Sequence, residues 1–229
     1  MADGMDARDA WLQCLGSEIS SKVIDRVVDA SSRVRLGARE TLVDQKDEGG
    51  NVFLLTSGCL KAVRYSERGH EIWLSEFNPG DLVGEIASLT NRQRSSALVA
   101  MEKSELLAIP EKDFRSLMKT QADFASSIAR IVAQRLVDTS KRLAELMVDP
   151  VVMRLYSELI RLGSPIDGDE ERLALPKGYS ITRIGDRIHA TREATSRALS
   201  TLEDRGMALR TADSIIIVFV PKDRDAFVD

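Results

Sequence analysis

The sequence predicts an α+β fold: an N-terminal β-domain, a long helix, and a C-terminal winged helix-turn-helix. Three observations carry this. Between residues 33 and 109 short apolar runs alternate with turns, and Gly50, Gly58, Gly69 and Gly80 punctuate them. No Pro or Gly interrupts Glu111 to Val148, where Ile128, Val132, Leu136, Leu143 and Leu146 recur at near-heptad spacing. After Ser180 a short helix, a turn and a second helix precede two alternating apolar segments, the order of a winged DNA reader.

The chain opens with two helical segments, 6–15 and 17–30, the second marked by Ile19, Val23, Ile24 and Val27. The runs NVFLLTSG, CLKAVRYSERG, HEIWLSEFNPG and SALVAMEKSELLAIP then read as strands. Regularly spaced short strands point to a closed or double-layered β structure. A helix about 25 residues long is expected within 111–148, longer than a compact domain usually needs, and its apolar seam suits a coiled-coil partner. The competing use of that seam is to cover the β-domain. Asp149 is expected to cap a new helix with Pro150 in its first turn; that helix, VVMRLYSELIRLG, stops at Gly163. The acidic SPIDGDEE that follows reads as turn-rich. Boundaries fall at 1–110, 111–148 and 149–229.

Bulk properties narrow the chemistry. The 229 residues are 43% hydrophobic and 30% charged, with net charge −4. No apolar run approaches the roughly 20 residues of a membrane span. The acidic start MADGMDARDAW lacks the basic and apolar blocks of a signal peptide, so a cytoplasmic protein with no membrane partner is expected. Cys14, Cys59, His70 and His189 are too few for a disulfide framework, an iron–sulfur cluster, a zinc site or a histidine triad. No metal and no catalytic residue is expected.

Residues 84 to 96, GEIASLTNRQRSS, bracket one tight loop with Glu85 at one end and Arg94 beside Ser95 at the other. Such charges most often sit on a solvated turn. The same arrangement is also a cup for a small anion that carries a hydroxyl. In the last third of the chain, Lys177, Arg183, Arg187, Arg192, Arg197, Arg205 and Arg210 outnumber Asp186, Glu193, Glu203 and Asp204. That is a local footprint for a polyanion on an otherwise acidic protein. Ser180 is the expected cap of the first short helix. In TREATSRALSTLEDRG, Ala194, Ala198, Leu199 and Leu202 form the inner stripe, leaving Arg192, Glu193, Ser196, Arg197 and Ser200 outward.

Three of these stretches resemble one family. GDLVGEIASLTNRQRSSALVA is similar to its phosphate-binding cassette, QRLVDTS to the Arg-x-x-x-Thr-Ser run on its dimer helix, and TREATSR to its recognition-helix pattern Arg-Glu-x-x-x-Arg. The whole chain thus resembles the bacterial cyclic-AMP receptor protein and fumarate–nitrate regulator superfamily, in its cyclic-nucleotide-binding branch. The resemblance implies a jelly-roll-like double-stranded β-helix that binds cyclic AMP or cyclic GMP as allosteric ligand, and a homodimer on double-stranded DNA with RNA polymerase as a partner. It implies no enzyme. By it, Gly84, Glu85, Ile86, Arg94, Ser95 and Arg135 hold the phosphate and ribose, and Thr139 and Ser140 reach toward the base. Ser180, Arg192, Glu193 and Arg197 contact DNA, with a TGTGA-like inverted repeat as operator and Lys177 on phosphate.

Departures from the family pattern are His189, where the turn usually has Gly, and Lys46, where a β-roll Gly is common. The acidic SPIDGDEE is also unlike a polymerase-contacting loop. Two alternatives stay open. One is a member of the superfamily whose DNA binding is ligand-independent or answers another effector. The other is a cyclic-nucleotide module that regulates an enzyme.

Overall fold

A computed structural model describes residues 6–66, 69, 71–176, 178–211 and 216–220. His70, Lys177, the first five residues and the start of the final apolar segment lie outside the described residues. The chain divides into two compact units, Met1–Leu136 and Val137–Asp229.

The glycine-punctuated runs of the first unit become eight strands: β1 (Ser32–Leu36), β2 (Thr41–Val43), β3 (Val52–Ser57), β4 (Leu60–Tyr65), β5 (Glu71–Phe77), β6 (Leu82–Val83), β7 (Ala97–Ala100) and β8 (Ser104–Ile109). They form two antiparallel sheets in the orders β1-β8-β3-β6 and β2-β7-β4-β5. Successive residues of a strand face opposite sides, and β3 shows why its run is continuously apolar. Phe53 and Leu55 point into the core between the sheets with Leu60, Phe77 and Leu98. Val52 and Leu54 point the other way, into a second core roofed by α1 (Ala7–Leu15), α2 (Ser21–Asp29), α4 (Glu111–Thr120) and the start of α5 (Ala122–Val148).

Residues 111–148 form two helices, and the 27 residues of α5 match the expected length of about 25. Gln121 leaves the helical region at φ −124°, ψ 99°. No Pro or Gly marks the break; the gain is tertiary. The bend sets Phe114 and Phe124 edge to face with ring centroids 5.6 Å apart, both fully buried. The apolar seam of α5 also has two fates. Ile128 is buried in the core beneath the β-sheet and Val132 packs against it, whereas Leu136 and Leu143 are 67% and 57% exposed.

In the second unit α6 (Val151–Leu162) starts one residue later than expected, with Pro150 rather than Asp149 as N-cap. SPIDGDEE is not merely turn-rich. It forms a hairpin of β9 (Ser164–Ile166) and β10 (Asp169–Ala174) closed by Asp167 and Gly168, with φ of 52° and 79°. Positive φ at both central residues is the twist-matched hairpin turn that Asp-Gly favours. Next come α7 (Ile181–Arg187), α8 (Arg192–Asp204), β11 (Ala208–Arg210) and β12 (Ile216–Phe219), with strand order β11-β12-β10-β9. Leu155, Leu159, Ile184, Leu199, Leu202 and Val218 close one core among these elements.

Candidate functional site

The short strand β6 delivers the chain to Gly84, whose φ of +85° turns it into α3 (Glu85–Thr90). A Cβ at this position would lie 2.6 Å from Arg94 Nη1 and 3.1 Å from Asn51 O, so only glycine admits the guanidinium beneath the turn. Arg94 is 5% exposed. Its Nη1 donates to Gly84 O and its Nη2 to Asn51 O, each at 2.7 Å, while its buried Nε has no partner among the described residues. The backbone of Arg94 is clasped as well, donating to Asp47 O at 2.9 Å and accepting from Lys46 N at 3.0 Å. Lys46 sits at φ 74°, so this turn keeps the left-handed backbone that glycine would favour.

Glu85 is 1% exposed and accepts from Arg135 Nη1 at 2.6 Å. Nη2 of Arg135 donates to Leu82 O at 2.9 Å, and its guanidinium lies 5.2 Å from the Phe77 ring centroid. Burial raises the Glu85 carboxyl above its ordinary value, and the Arg135 charge opposes that rise. Burial lowers Arg94, with Glu111, Asp47 and Glu85 pulling it back. Together these groups make a cleft lined by two guanidiniums, one carboxylate and two hydroxyls.

Gly84, Glu85, Ile86, Arg94, Ser95 and Arg135 all line this cleft. Thr139 and Ser140 are exposed residues of α5 in the second unit. Sequence reasoning missed Phe77 and Ser96, which line the cleft too. Phe77 had only a strand position to mark it, though Ser96 stands beside Ser95 in the quoted loop. The carbonyls of Gly84 and Asn51 carry no residue-type signature at all.

A second surface lies on the reading module. The Ser180 hydroxyl accepts from Arg183 N at 3.1 Å and caps α7, and Thr191 Oγ1 accepts from Ala194 N at 3.2 Å and caps α8. Between them His189 holds φ 51°, so the turn is left-handed with histidine in place of glycine. Gly185 lets the helices meet: a Cβ there would lie 2.8 Å from Ala190 O and 2.9 Å from Thr195 Oγ1. The inner stripe of α8 accordingly includes Thr195, fully buried, with Ala198, Leu199 and Leu202, while Ala194 is half-buried. Thr195 was not expected inside; its hydroxyl is satisfied by Thr191 O at 2.9 Å.

Arg192, Glu193 and Arg197 are exposed and share an open face with Ser196, Ile181 and Arg210. Arg210 is not loose on that face. It grips Glu203 through Nη2 to Oε2 at 2.6 Å and Nε to Oε1 at 2.9 Å, which holds the Glu203 carboxyl below its ordinary value. Among the described residues no cluster of His, Cys, Asp or Glu is arranged to hold a metal ion, and no helix is long and apolar enough to cross a membrane.

Comparison with known proteins places these sites in context. Residues 33–121 match the cyclic nucleotide-binding domain. The cAMP-activated global transcriptional regulator CRP of Salmonella typhimurium is 28% identical over 79% of this chain and 86% of its own. The CRP-like cAMP-activated global transcriptional regulator of Mycobacterium tuberculosis is 25% identical over 77% of this chain and 80% of its own. Among solved structures, the c-di-GMP-responsive global regulator CLP of Xanthomonas campestris shares the fold with a TM-score of 0.71 at 20% identity, over 88% of this chain and 100% of that one.

Proposed function

We propose that the chain, similar over most of its length to CRP-like transcriptional regulators and matching the cyclic nucleotide-binding domain, is a non-enzymatic transcription regulator of the cyclic-AMP receptor protein and fumarate–nitrate regulator superfamily, a homodimer that binds cyclic AMP and then a palindromic TGTGA-like operator. The observation that carries the ligand is Arg94: a buried guanidinium, pre-aimed by two carbonyls under an open glycine turn. Two of its five donors serve those carbonyls, and the buried Nε has no partner among the described residues. Arg94 pairs with the cyclic phosphate, and Ser95 and the first amides of α3, at Glu85 and Ile86, add donors. Glu85, held by Arg135, accepts the ribose 2′-hydroxyl. Thr139 and Ser140 act at the base, and since hydroxyls both donate and accept, cyclic GMP is a second candidate ligand.

Dimerisation is supported by the exposed half of the α5 seam, Leu136, Leu143 and Met147. In a two-fold dimer each α8 enters one major groove, with Arg192 and Arg197 on guanines and Glu193 accepting from cytosine. Ser180 lies at the start of α7 to contact the backbone, Lys177 serves the same phosphates, and RNA polymerase receives the bound dimer. Nucleotide acts by biasing the relative setting of the two heads.

One observation favours a second reading. Glu85 pairs with Arg135, and Arg94 with two backbone carbonyls, as also suits a member whose DNA binding is ligand-independent or answers another effector. Calorimetry with cyclic AMP and cyclic GMP, with gel shifts on a selected operator, separates the two. Arg94→Ala is expected to cost about 2–5 kcal/mol of nucleotide binding, the range for truncating one partner of a buried charge pair. Near-native affinity in that variant overturns the ligand assignment.

A further inference from the structure

Resting on the reading that nucleotide binding is relayed to a DNA reader, we propose that Glu158 is the positioning residue that makes the helix-turn-helix follow α5. Its side chain on α6 is only 2% exposed, and guanidiniums from three helices converge on it. Arg187 of α7 donates from Nε to Oε1 at 2.5 Å. Arg161, three residues along α6, donates from Nη1 to Oε2 at 3.1 Å. Arg142 of α5 brings Nη2 to 3.9 Å from the same oxygen. Arg161 then reaches Glu145, also on α5. One carboxylate and one guanidinium therefore join the tail of α5 to the first helix of the reading module.

The chemistry of this junction differs from that of the core around it. Apolar contacts are non-directional and let helices slide; charge-assisted hydrogen bonds fix distance and angle. Arg187 is itself 7% exposed, so losing Glu158 removes an anionic partner from a buried guanidinium. Displacement of the α5 tail must then either carry α7 along or break contacts that water cannot readily replace. The turn feels the same cluster, since Arg154 and Arg142 both act on His189. The neighbouring apolar core already packs α6 on α8 through Leu155, Leu159 and Leu199. The core thus supplies the cohesion between α6 and α8, and the acid adds a directional tie to α5 and α7.

The test uses the full chain, cyclic AMP and a duplex selected from a random pool. Glu158→Gln keeps the side-chain shape and removes its charge; Arg142→Gln, at a more exposed position, cuts only the direct contact of Glu158 with α5 and leaves Arg161 on Glu145. In both variants the ratio of operator affinities with and without cyclic AMP is expected to fall about tenfold, while calorimetric cyclic-AMP affinity stays within about twofold. Hydrogen exchange of the ligand-free chain is expected to rise together in residues 141–148 and 181–187 and to stay unchanged in 52–57. A folded Glu158→Gln protein that retains the full ratio overturns the proposal. So does exchange that rises uniformly through the second unit, the mark of a merely structural acid. A wild-type chain indifferent to cyclic AMP overturns the ligand assignment instead. Paired loosening of 141–148 and 181–187 would then still support the tie, and its absence would overturn it.

Discussion

Arg135 donates to the Glu85 carboxylate at 2.6 Å and, from the other end of the same guanidinium, to Leu82 O at 2.9 Å. The long helix thus holds the acid of the cleft through a fork that lysine cannot reproduce. A hydrogen bond to a charged group contributes about 1.5–3 kcal/mol. Glu85→Ala is therefore expected to weaken cyclic-AMP binding roughly 10- to 150-fold. The loss should shrink with 2′-deoxy-cyclic AMP, which has no ribose hydroxyl to lose. Equal losses for both nucleotides in calorimetry would remove Glu85 from the ribose.

Arg192 and Arg197 are exposed on the open face of α8. A bidentate arginine–guanine pair discriminates by about 1–3 kcal/mol. Arg192→Val is expected to relax preference at one symmetric pair of operator positions and leave nucleotide binding intact. Selection from random DNA is the measurement, and an unchanged consensus would mean this face does not read bases.

His189 combines a left-handed backbone with a lowered pKa, caused first by lost hydration and then by Arg154 and Arg142. A depressed value means the folded state favours neutral histidine. Its contribution is present above the ordinary 6.5 and is lost as pH falls through the depressed value. His189→Asn keeps a residue that tolerates this backbone and should remove that part of the acid-side loss in thermal melts. His189→Val should cost about 1–2 kcal/mol at any pH, because a β-branched residue resists the left-handed region.

Ile128 and Leu143 lie on one apolar seam but differ in burial, 0% against 57% exposed. Ile128→Ala is expected to cost about 2–5 kcal/mol of folding stability with dimerisation retained. Leu143→Glu should leave the melting of the first unit unchanged and shift sedimentation toward monomer. A Leu143→Glu chain that remains dimeric would show that this half of the seam does not join two copies.

By itself the sequence determined the order of elements, because local periodicity and punctuation report which face of a segment is apolar. The four quoted strand runs, the cap Ser180 and the stop at Gly163 were legible for that reason. Gly84, Glu85, Arg94 and Ser95, which line one cleft, stood out because charge and glycine are rare inside such runs. Periodicity does not report what covers a face. Only the tertiary structure decided that Ile128 belongs to the sheet's core while Leu143 stays open, and that the helical stretch breaks at Gln121 where Phe114 meets Phe124. It likewise decided that Arg94 is aimed by the carbonyls of Gly84 and Asn51, and that Glu158 is buried among arginines from three helices. Each of these joins residues distant in the chain through atoms every residue possesses or through the closure of a core. A one-dimensional pattern leaves no trace of either.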